Sequence, residues 1–171
     1  MYIENTVSIR GDPERVCRRV FELASNLQDW PRLLPHYWRM RVLEHSERHK
    51  IADFGAYRDF GWRIPCRWRA RQELFPEAGR ITFEHIGGIT RGMRVEWRIV
   101  PRPDGAEVTI AHWLDYPIPL LGPWFAHHVV GQLFVHHIAG QTLRRFQAIV
   151  EAEERATELH GARADDNMSH G

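Results

Sequence analysis

Two histidines lie on the apolar faces of predicted strands, where their types and positions suit acid–base chemistry. His85 shares a face with Phe83, and His112 shares one with Ile110. Because an imidazole titrates near neutral pH, two of them in a dry cavity could take and return protons, as general acid–base catalysis requires. The alternative is structural: each ring is buried and hydrogen-bonded to a neighbour, since an unsatisfied ring costs about 1–3 kcal/mol. The pattern leaves both interpretations open.

Four further histidines form the adjacent pairs His127-His128 and His136-His137. Adjacent residues on a helix project about 100° apart, and two pairs nine residues apart make a poor chelate. No HExxH spacing is present. We therefore predict no metal site and no cofactor, and interpret these histidines as lying at an interface or a cavity rim.

The clearest alternation of period two runs over residues 62–72. Its even positions are mostly aromatic or apolar, whereas four of its odd positions are arginines, so we expect the even face to point inward. Flat indole walls would suit a planar polycyclic or quinone ligand. The inward residues predicted on this face, on the matching strands and on the last helix are Trp62, Trp68, Gln72, Phe83, His85, Met93, Trp97, His112, His128 and Val135.

The elements that must position these residues follow a simple order. A strand from Ile3 is followed by two short helices, six strands joined mostly by hairpins, and a long amphipathic helix from about 123 to 158. Successive hairpins imply an antiparallel sheet, and a helix of that length must lie across it. We predict an α+β domain over residues 1–158, with about seven curved strands around the helix and a central hydrophobic cavity, and a disordered tail over 159–171.

Composition limits the protein's class and partners. The chain has 171 residues, with 23 basic and 22 acidic side chains and a formal charge of +1, which fits one soluble domain and gives no electrostatic footprint for nucleic acid. Its two cysteines are too few for a disulfide scaffold. The first residues lack the basic region and apolar run of a secretory signal, so we expect a cytoplasmic protein.

The element order resembles the START-like helix-grip superfamily, and within it the polyketide cyclase/aromatase and coenzyme-Q-binding branches. The most specific piece is residues 29–37, DWPRLLPHY, which is similar to an aromatase/cyclase segment with a Trp-Pro and, seven residues after the Trp, a Tyr at the cavity. The segments 83–97 and 108–115 also look like the later strands of that family. The resemblance extends from about Tyr2 to Glu154.

The resemblance implies that Trp30 and Tyr37 lie near the pocket and that Trp68 is on the pocket face of its strand. Tyr37 would be a general acid or a hydrogen-bonding group at the pocket mouth. The aromatases typically carry an arginine four residues after that tryptophan, where this chain has Gln72, a neutral and weaker donor. On this basis we expect Gln72→Arg to be tolerated by the fold.

Two functions are expected from these features. In the first, the protein binds a small hydrophobic, aromatic or polyketide-like molecule and cyclises or dehydrates it with Tyr37, His85 and His112. In the second, it is a non-catalytic carrier of a lipid or quinone. The arginine row beside Trp68 is either a solvated strand face or a docking site for an acyl carrier protein. The apolar residues 124–134 are buried against hairpin loops, or form a gate, a homodimer contact or a membrane-touching mouth.

Overall fold

The computed structural model describes residues 2–59, 63–88, 90–114 and 136–169. Over these ranges the chain forms seven strands and three α-helices, with short 3-10 turns at Leu27–Asp29 and Pro76–Ala78. The strands are β1 (Tyr2–Arg10), β2 (Tyr37–His45), β3 (His49–Asp59), β4 (Arg63–Phe75), β5 (Arg80–Gly88), β6 (Met93–Arg102) and β7 (Gly105–Leu114). The helices are α1 (Pro13–Ser25), α2 (Trp30–Leu33) and α3 (His136–Ser169).

The strands form a single sheet in the order β1-β7-β6-β5-β4-β3-β2, and every neighbouring pair is antiparallel. This arrangement confirms the antiparallel sheet predicted from the successive hairpins. The alternation in β4 is also confirmed over its described side chains, because Cys66, Trp68 and Ala70 are buried whereas Arg67 and Arg69 are exposed. The buried face of the sheet meets α1, α2 and α3.

The start of α1 is tied to α3 by one carboxylate. Asp12 caps α1 by accepting a hydrogen bond from the Arg15 backbone N–H at 2.9 Å, and Pro13 supplies the fixed φ angle suited to the first turn. Glu154 of α3 accepts from the Asp12 N–H at 2.8 Å and from the Arg15 guanidinium at 2.9 Å. Gly11, with φ of +144°, leaves room for this approach, because a Cβ there would lie 2.5 Å from the Glu154 side chain.

The end of α1 is held by side chains from α2 and the sheet. The last carbonyls of a helix have no partner within it, and here the carbonyls of residues 23–25 accept from three different side chains. The donors are Trp30 Nε1 at 3.0 Å, Gln72 Nε2 at 3.2 Å and Lys50 Nζ at 2.8 Å. The ammonium suits the negative end of the helix dipole, although partial burial lowers the pKa of Lys50.

Gln72 therefore has a different place from the one predicted for it. It lies on the inner face of β4, as the alternation indicated, but it is fully buried beneath the end of α1 and does not line the cavity. Its Oε1 has no hydrogen-bond partner among the described residues. Alternation assigns a face of a strand but not the position along it, and α1 covers this part of the face.

Helix α3 ends later in the chain than expected. It continues to Ser169, through most of the segment for which a disordered tail was predicted. In a helix, Gly161 is about 1 kcal/mol less favourable than alanine, but Ala162, Arg163 and Ala164 have high helix propensities. The predicted start near Pro123 lies outside the described residues. None of the described helices is long and apolar enough to cross a membrane.

The burial of Gln72 makes a stability prediction that reverses the expectation from the sequence. We expect Gln72→Arg to lower the free energy of unfolding by about 3 kcal/mol or more, because a guanidinium would be buried without a carboxylate. Gln72→Leu should cost about 1–2 kcal/mol, because the Ala24 carbonyl loses its donor. Urea denaturation measures both.

Arg71→Gln is the matched control, since Arg71 lies on the opposite face and only forms an exposed ion pair with Glu84. Its loss should be below about 1 kcal/mol. If Gln72→Arg unfolded at the same urea concentration as Arg71→Gln, the buried position assigned to Gln72 would be wrong.

Candidate ligand cavity and acid–base site

Trp30 lies at the centre of an aromatic cluster between the sheet and α3. Pro31 fixes the backbone of the short helix α2, and the indole N–H is held by the Leu23 carbonyl. The ring is 3% exposed. Its centroid lies 5.1 Å from that of Tyr37, 6.1 Å from Phe54, 6.1 Å from Phe83, 6.2 Å from Trp97 and 6.4 Å from Phe146.

A cavity of about 60 Å³ lies beside this cluster, between the inner face of the sheet and α3. Eight of the residues predicted for a binding or catalytic role line it: Trp30, Tyr37, Trp68, Phe83, His85, Met93, Trp97 and His112. Trp62, His128 and Val135 lie outside the described residues. The volume accommodates a few water molecules, so a larger ligand requires the lining side chains to move apart.

Six lining residues were not predicted as binding residues. Ile138, Ala139 and Thr142 come from α3, and their spacing of three to four residues puts them on one face of that helix. Phe54, Val95 and Ile110 come from the sheet. Phe54 could have been found from the pairing of its strand, because it lies directly opposite Trp68 in the β3–β4 register.

Three parallel rings from neighbouring strands stand side by side along one wall of the cavity. Trp68 stacks on Phe54 with centroids 5.3 Å apart and on His85 with centroids 5.8 Å apart, each at an interplanar angle of 8°. A register shift in the β4–β5 pair accompanies this arrangement, since Gly87 pairs with Arg69 but His85 pairs with Ala70. Ile86 is the extra residue of this bulge, and bulges of this kind re-aim neighbouring side chains.

His85 is fixed by a threonine that the sequence did not indicate. Its Nδ1 lies 2.6 Å from Thr90 Oγ1, and Thr90 is 2% exposed. The loop that carries Thr90 is closed by backbone hydrogen bonds from Gly92 N to the His85 carbonyl at 2.8 Å and from Met93 N to the Thr90 carbonyl at 3.0 Å. A loop threonine has no periodicity that would reveal such a contact.

Burial keeps both cavity histidines neutral at pH 7. Loss of solvation lowers the pKa of His85 to about 3. The pKa of His112 is also lowered to about 3, first by burial and then by the neighbouring charge that His85 would carry. Part of the His112 side chain is exposed, yet its Nδ1 is buried and has no hydrogen-bond partner among the described residues. A neutral imidazole offers one donor and one acceptor, so this pair can bind polar ligand atoms or relay a proton.

Tyr37 joins the site at the start of β2. It is 7% exposed, and its ring lies 6.0 Å from Trp68 and 4.7 Å from His36. His36 Nε2 lies 3.1 Å from the hydroxyl of Thr142 in α3, which connects this edge of the cavity to the helix. Within the described ranges, no group of three or more His, Cys, Asp or Glu side chains could hold a metal ion.

Comparison with known proteins identifies the family. The family model described as "Polyketide cyclase / dehydrase and lipid transport" matches residues 16–134. This chain belongs to that family. It is also 30% identical over 100 residues to the actinorhodin polyketide synthase bifunctional cyclase/dehydratase of Streptomyces coelicolor, over 56% of this chain and 30% of that protein. The match thus spans less than a third of that relative's length.

Solved structures give the fold. The Zhui aromatase/cyclase from Streptomyces sp. R1128 superposes with a TM-score of 0.74 at 17% identity, over 91% of this chain and 95% of that one. A START superfamily protein from Mycobacterium smegmatis superposes with a TM-score of 0.61 at 15% identity, over 91% and 98%. The helix-grip fold predicted for this polyketide cyclase family member is confirmed.

The pKa of His85 makes a prediction about stability and pH. In the unfolded chain the ring titrates near 6.5, whereas in the folded protein its pKa is about 3. Between these values the unfolded chain binds more protons, so stability falls as the pH falls. At pH ~5.5 the contribution lost is about 1.4 kcal/mol relative to pH ~7.5.

When the pH is lowered from ~7.5 to ~5.5, we therefore expect the free energy of unfolding of His85→Gln to fall by about 1.4 kcal/mol less than that of the wild type. Urea denaturation at the two pH values gives the difference. His45→Gln, which removes an exposed histidine of β2, is the control and should behave as the wild type does. Equal pH dependence of the wild type and His85→Gln would contradict a neutral, buried His85.

Proposed function

We propose that this protein binds a neutral, polyketide-like aromatic precursor in the cavity and cyclises or dehydrates it by acid–base catalysis. The observation that carries the proposal is the pair of neutral histidines in an otherwise aromatic and aliphatic cavity. Membership of the polyketide cyclase family supports the same class of reaction.

The lining favours a flat and uncharged ligand. The parallel rings of Phe54, Trp68 and His85 give one wall of the cavity an aromatic character that suits an aromatic ligand. None of the described lining residues carries a formal charge at pH 7, and Gln72, which replaces the arginine of the aromatases, is occupied by α1. Pockets for drug-sized molecules have about 300–1,000 Å³, so we infer that the aromatic lining opens when the ligand enters.

The proton chemistry follows from the way His85 is held. When Nδ1–H donates to Thr90, the Nε2 lone pair is left to accept a proton from the ligand. In a cyclisation, His85 Nε2 takes the proton from an activated carbon, that carbon bonds to a carbonyl carbon, and the carbonyl oxygen takes a proton from Tyr37. The neutral His112 can donate a hydrogen bond to that oxygen. In the dehydration that follows, the Tyr37 phenolate takes a second carbon-bound proton, and the protonated His85 gives its proton to the hydroxyl, which leaves as water.

The lowered pKa of His85 requires the proton to move on quickly. Charging the buried ring at pH 7 is disfavoured, because its pKa is about 3, and the shift from 6.5 corresponds to about 5 kcal/mol. An oxyanion forming on the ligand would offset the cost of the charged ring. Transfer of the proton from His85 to the leaving hydroxyl would return the ring to its neutral form. His112 and Tyr37 line the same cavity and could complete the relay.

The second candidate function is a non-catalytic carrier of a lipid or quinone. The observation that favours it is the lack of any charged group among the described lining residues, since a carrier needs apolar surface and no proton relay. Native mass spectrometry of the purified protein separates the two candidates. A co-purifying isoprenoid or lipid together with no turnover favours the carrier.

A ligand that arrives tethered would need an acyl carrier protein in the same compartment, which we expect to be the cytoplasm. The homodimer and the membrane-touching mouth were predicted from residues 124–134, which lie outside the described residues.

Catalysis by His85 predicts a clear kinetic loss. With a thioester analogue of a poly-β-ketone as substrate, we expect His85→Gln to lower kcat by about 100-fold or more, because a general base contributes about that much. Tyr37→Phe should give a smaller loss and a changed distribution of cyclised and dehydrated products. Product analysis by liquid chromatography and mass spectrometry measures both effects.

His45→Gln again serves as the control, since it removes a histidine far from the cavity lining. Circular dichroism should show that all three variants are folded. Wild-type turnover and products in both His85→Gln and Tyr37→Phe would rule out the roles proposed for these residues.

A further inference from the structure

The outer face of the sheet carries a compact group of arginines behind the cavity. In the register of β2, β3 and β4, one row runs across the three strands as Arg39, Gly55 and Arg67. The next row contains Arg41, Asp53 and Arg69. Given the usual strand spacing and rise, these rows span about 10 Å by about 7 Å. We call the four exposed arginines 39, 41, 67 and 69 the arginine corner.

Among the described residues, the arginine corner carries an excess of positive charge. Elsewhere on the outer face arginines pair with carboxylates of other strands, as in Arg71–Glu84 at 3.1 Å, Arg98–Glu4 at 3.1 Å and Arg102–Glu107 at 2.7 Å. In the arginine corner, Asp53 pairs with Arg69 at 2.7 Å. Arg39, Arg41 and Arg67 form no ion pair with any other described residue, which leaves three positive charges in excess.

The pKa of Asp53 shows that the arginine corner has a positive electrostatic potential. It is lowered first by the hydrogen bond from Arg69 and then by the charges of Arg69, Arg39 and Arg41. A carboxylate is therefore favoured among these arginines. One internal carboxylate does not neutralise them, so a carboxylate supplied by another molecule would be stabilised in the same way.

Arg67 is held by an aromatic ring. Its guanidinium carbon lies 4.9 Å from the centroid of the Trp38 ring, which itself covers Gly55 so closely that a Cβ there would lie 2.8 Å from the indole. The stacking limits the motion of the long side chain and lowers the entropy lost when it binds a partner. Tryptophan and arginine together are also the residues enriched at the centres of protein interfaces.

The arginine corner lies on the strands that carry the cavity residues. Arg67 precedes Trp68, and because successive side chains point to opposite faces, the two lie back to back. Arg39 follows Tyr37 by two residues on β2, and Gly87, opposite Arg69, follows His85 by two residues on β5. A partner bound here would thus be close to the edge of the candidate site.

We propose that the arginine corner docks an acidic protein that delivers the ligand of the cavity. This inference rests on the proposed function, because it assigns the route by which the substrate arrives. Carboxylates at positions i and i+4 of a helix lie about 6 Å apart, which matches the separation of the two arginine rows. A nucleic acid fits less well, because Glu73 and Glu84 lie beside the group and the whole chain carries a formal charge of only +1.

Binding of a fluorescently labelled acyl carrier protein from a polyketide synthase tests this proposal. We expect fluorescence anisotropy to show binding by the wild type at about 20 mM NaCl and much weaker binding at about 300 mM NaCl, where charges are screened. The double variant Arg39→Glu/Arg67→Glu should raise Kd by about tenfold or more. Arg39→Gln/Arg41→Gln, which leaves the Trp38 contact intact, should raise it by a smaller factor.

The control Arg102→Glu/Arg98→Glu changes the net charge equally on the same outer face, and its Kd should stay close to that of the wild type. The proposal is overturned if the wild type does not bind the carrier protein at low salt, or if the arginine-corner and control variants weaken it equally. It is also overturned if a short DNA duplex binds this site as tightly as the carrier protein does.

Two further measurements separate failure of docking from failure of the proposed function. The binding assay needs no turnover, so it stands even if the protein is not a cyclase. With the untethered thioester analogue, the arginine-corner variants should react as the wild type does, whereas with a carrier-bound substrate their KM should rise. Equal KM values for the wild type and the variants with carrier-bound substrate would contradict docking at this surface.

Discussion

The rest of the molecule depends on the contacts that the buried Trp30 indole makes with α1, the sheet and α3. Its N–H satisfies a carbonyl at the end of α1, and its ring touches aromatic rings of the sheet and of α3. Removing a buried tryptophan costs about 3–5 kcal/mol. Loss of the Trp30 ring would also remove the contact between the end of α1 and the cavity wall. One side chain therefore contributes both to the stability of the fold and to the shape of the site.

A second constraint is the high cost of a buried polar group that neither forms a hydrogen bond nor contacts a ligand. The Gln72 Nε2 and Lys50 Nζ donors are satisfied by carbonyls at the end of α1, and His85 Nδ1 is paired with Thr90, whereas Gln72 Oε1 has no partner among the described residues. His112 Nδ1 is buried and has no partner among the described residues, which is costly for the fold and suits a group that meets a ligand. Burial destabilises the charged form of both imidazoles, so the rings are neutral at pH 7. Neutral rings can exchange protons with an uncharged ligand.

Much of the fold could be predicted from the sequence, because alternation of period two, hairpin turns and one long amphipathic helix are local signals. The face of each cavity residue followed from the same alternation, as for Trp68 and Trp97. Gln72 was misplaced because its depth along β4 depends on where α1 ends. Thr90 was missed because its contact with His85 forms through a loop, and Phe54 because strand pairing is a long-range property. The tail was misjudged because Gly161 alone does not end the helix when Ala162, Arg163 and Ala164 follow it.

The central claim, that a flat hydrophobic ligand binds between the sheet and α3, is tested most directly through Met93, which lines the cavity. Carbon-13-labelled methionine methyl groups can be followed by NMR while a hydroxylated anthraquinone is added. The account predicts that the Met93 methyl signal shifts and shows nuclear Overhauser effects to the ring protons of the ligand, while the signal of Met40, a residue of β2 outside the cavity lining, stays in place. Binding of the anthraquinone with no change at Met93 would contradict it.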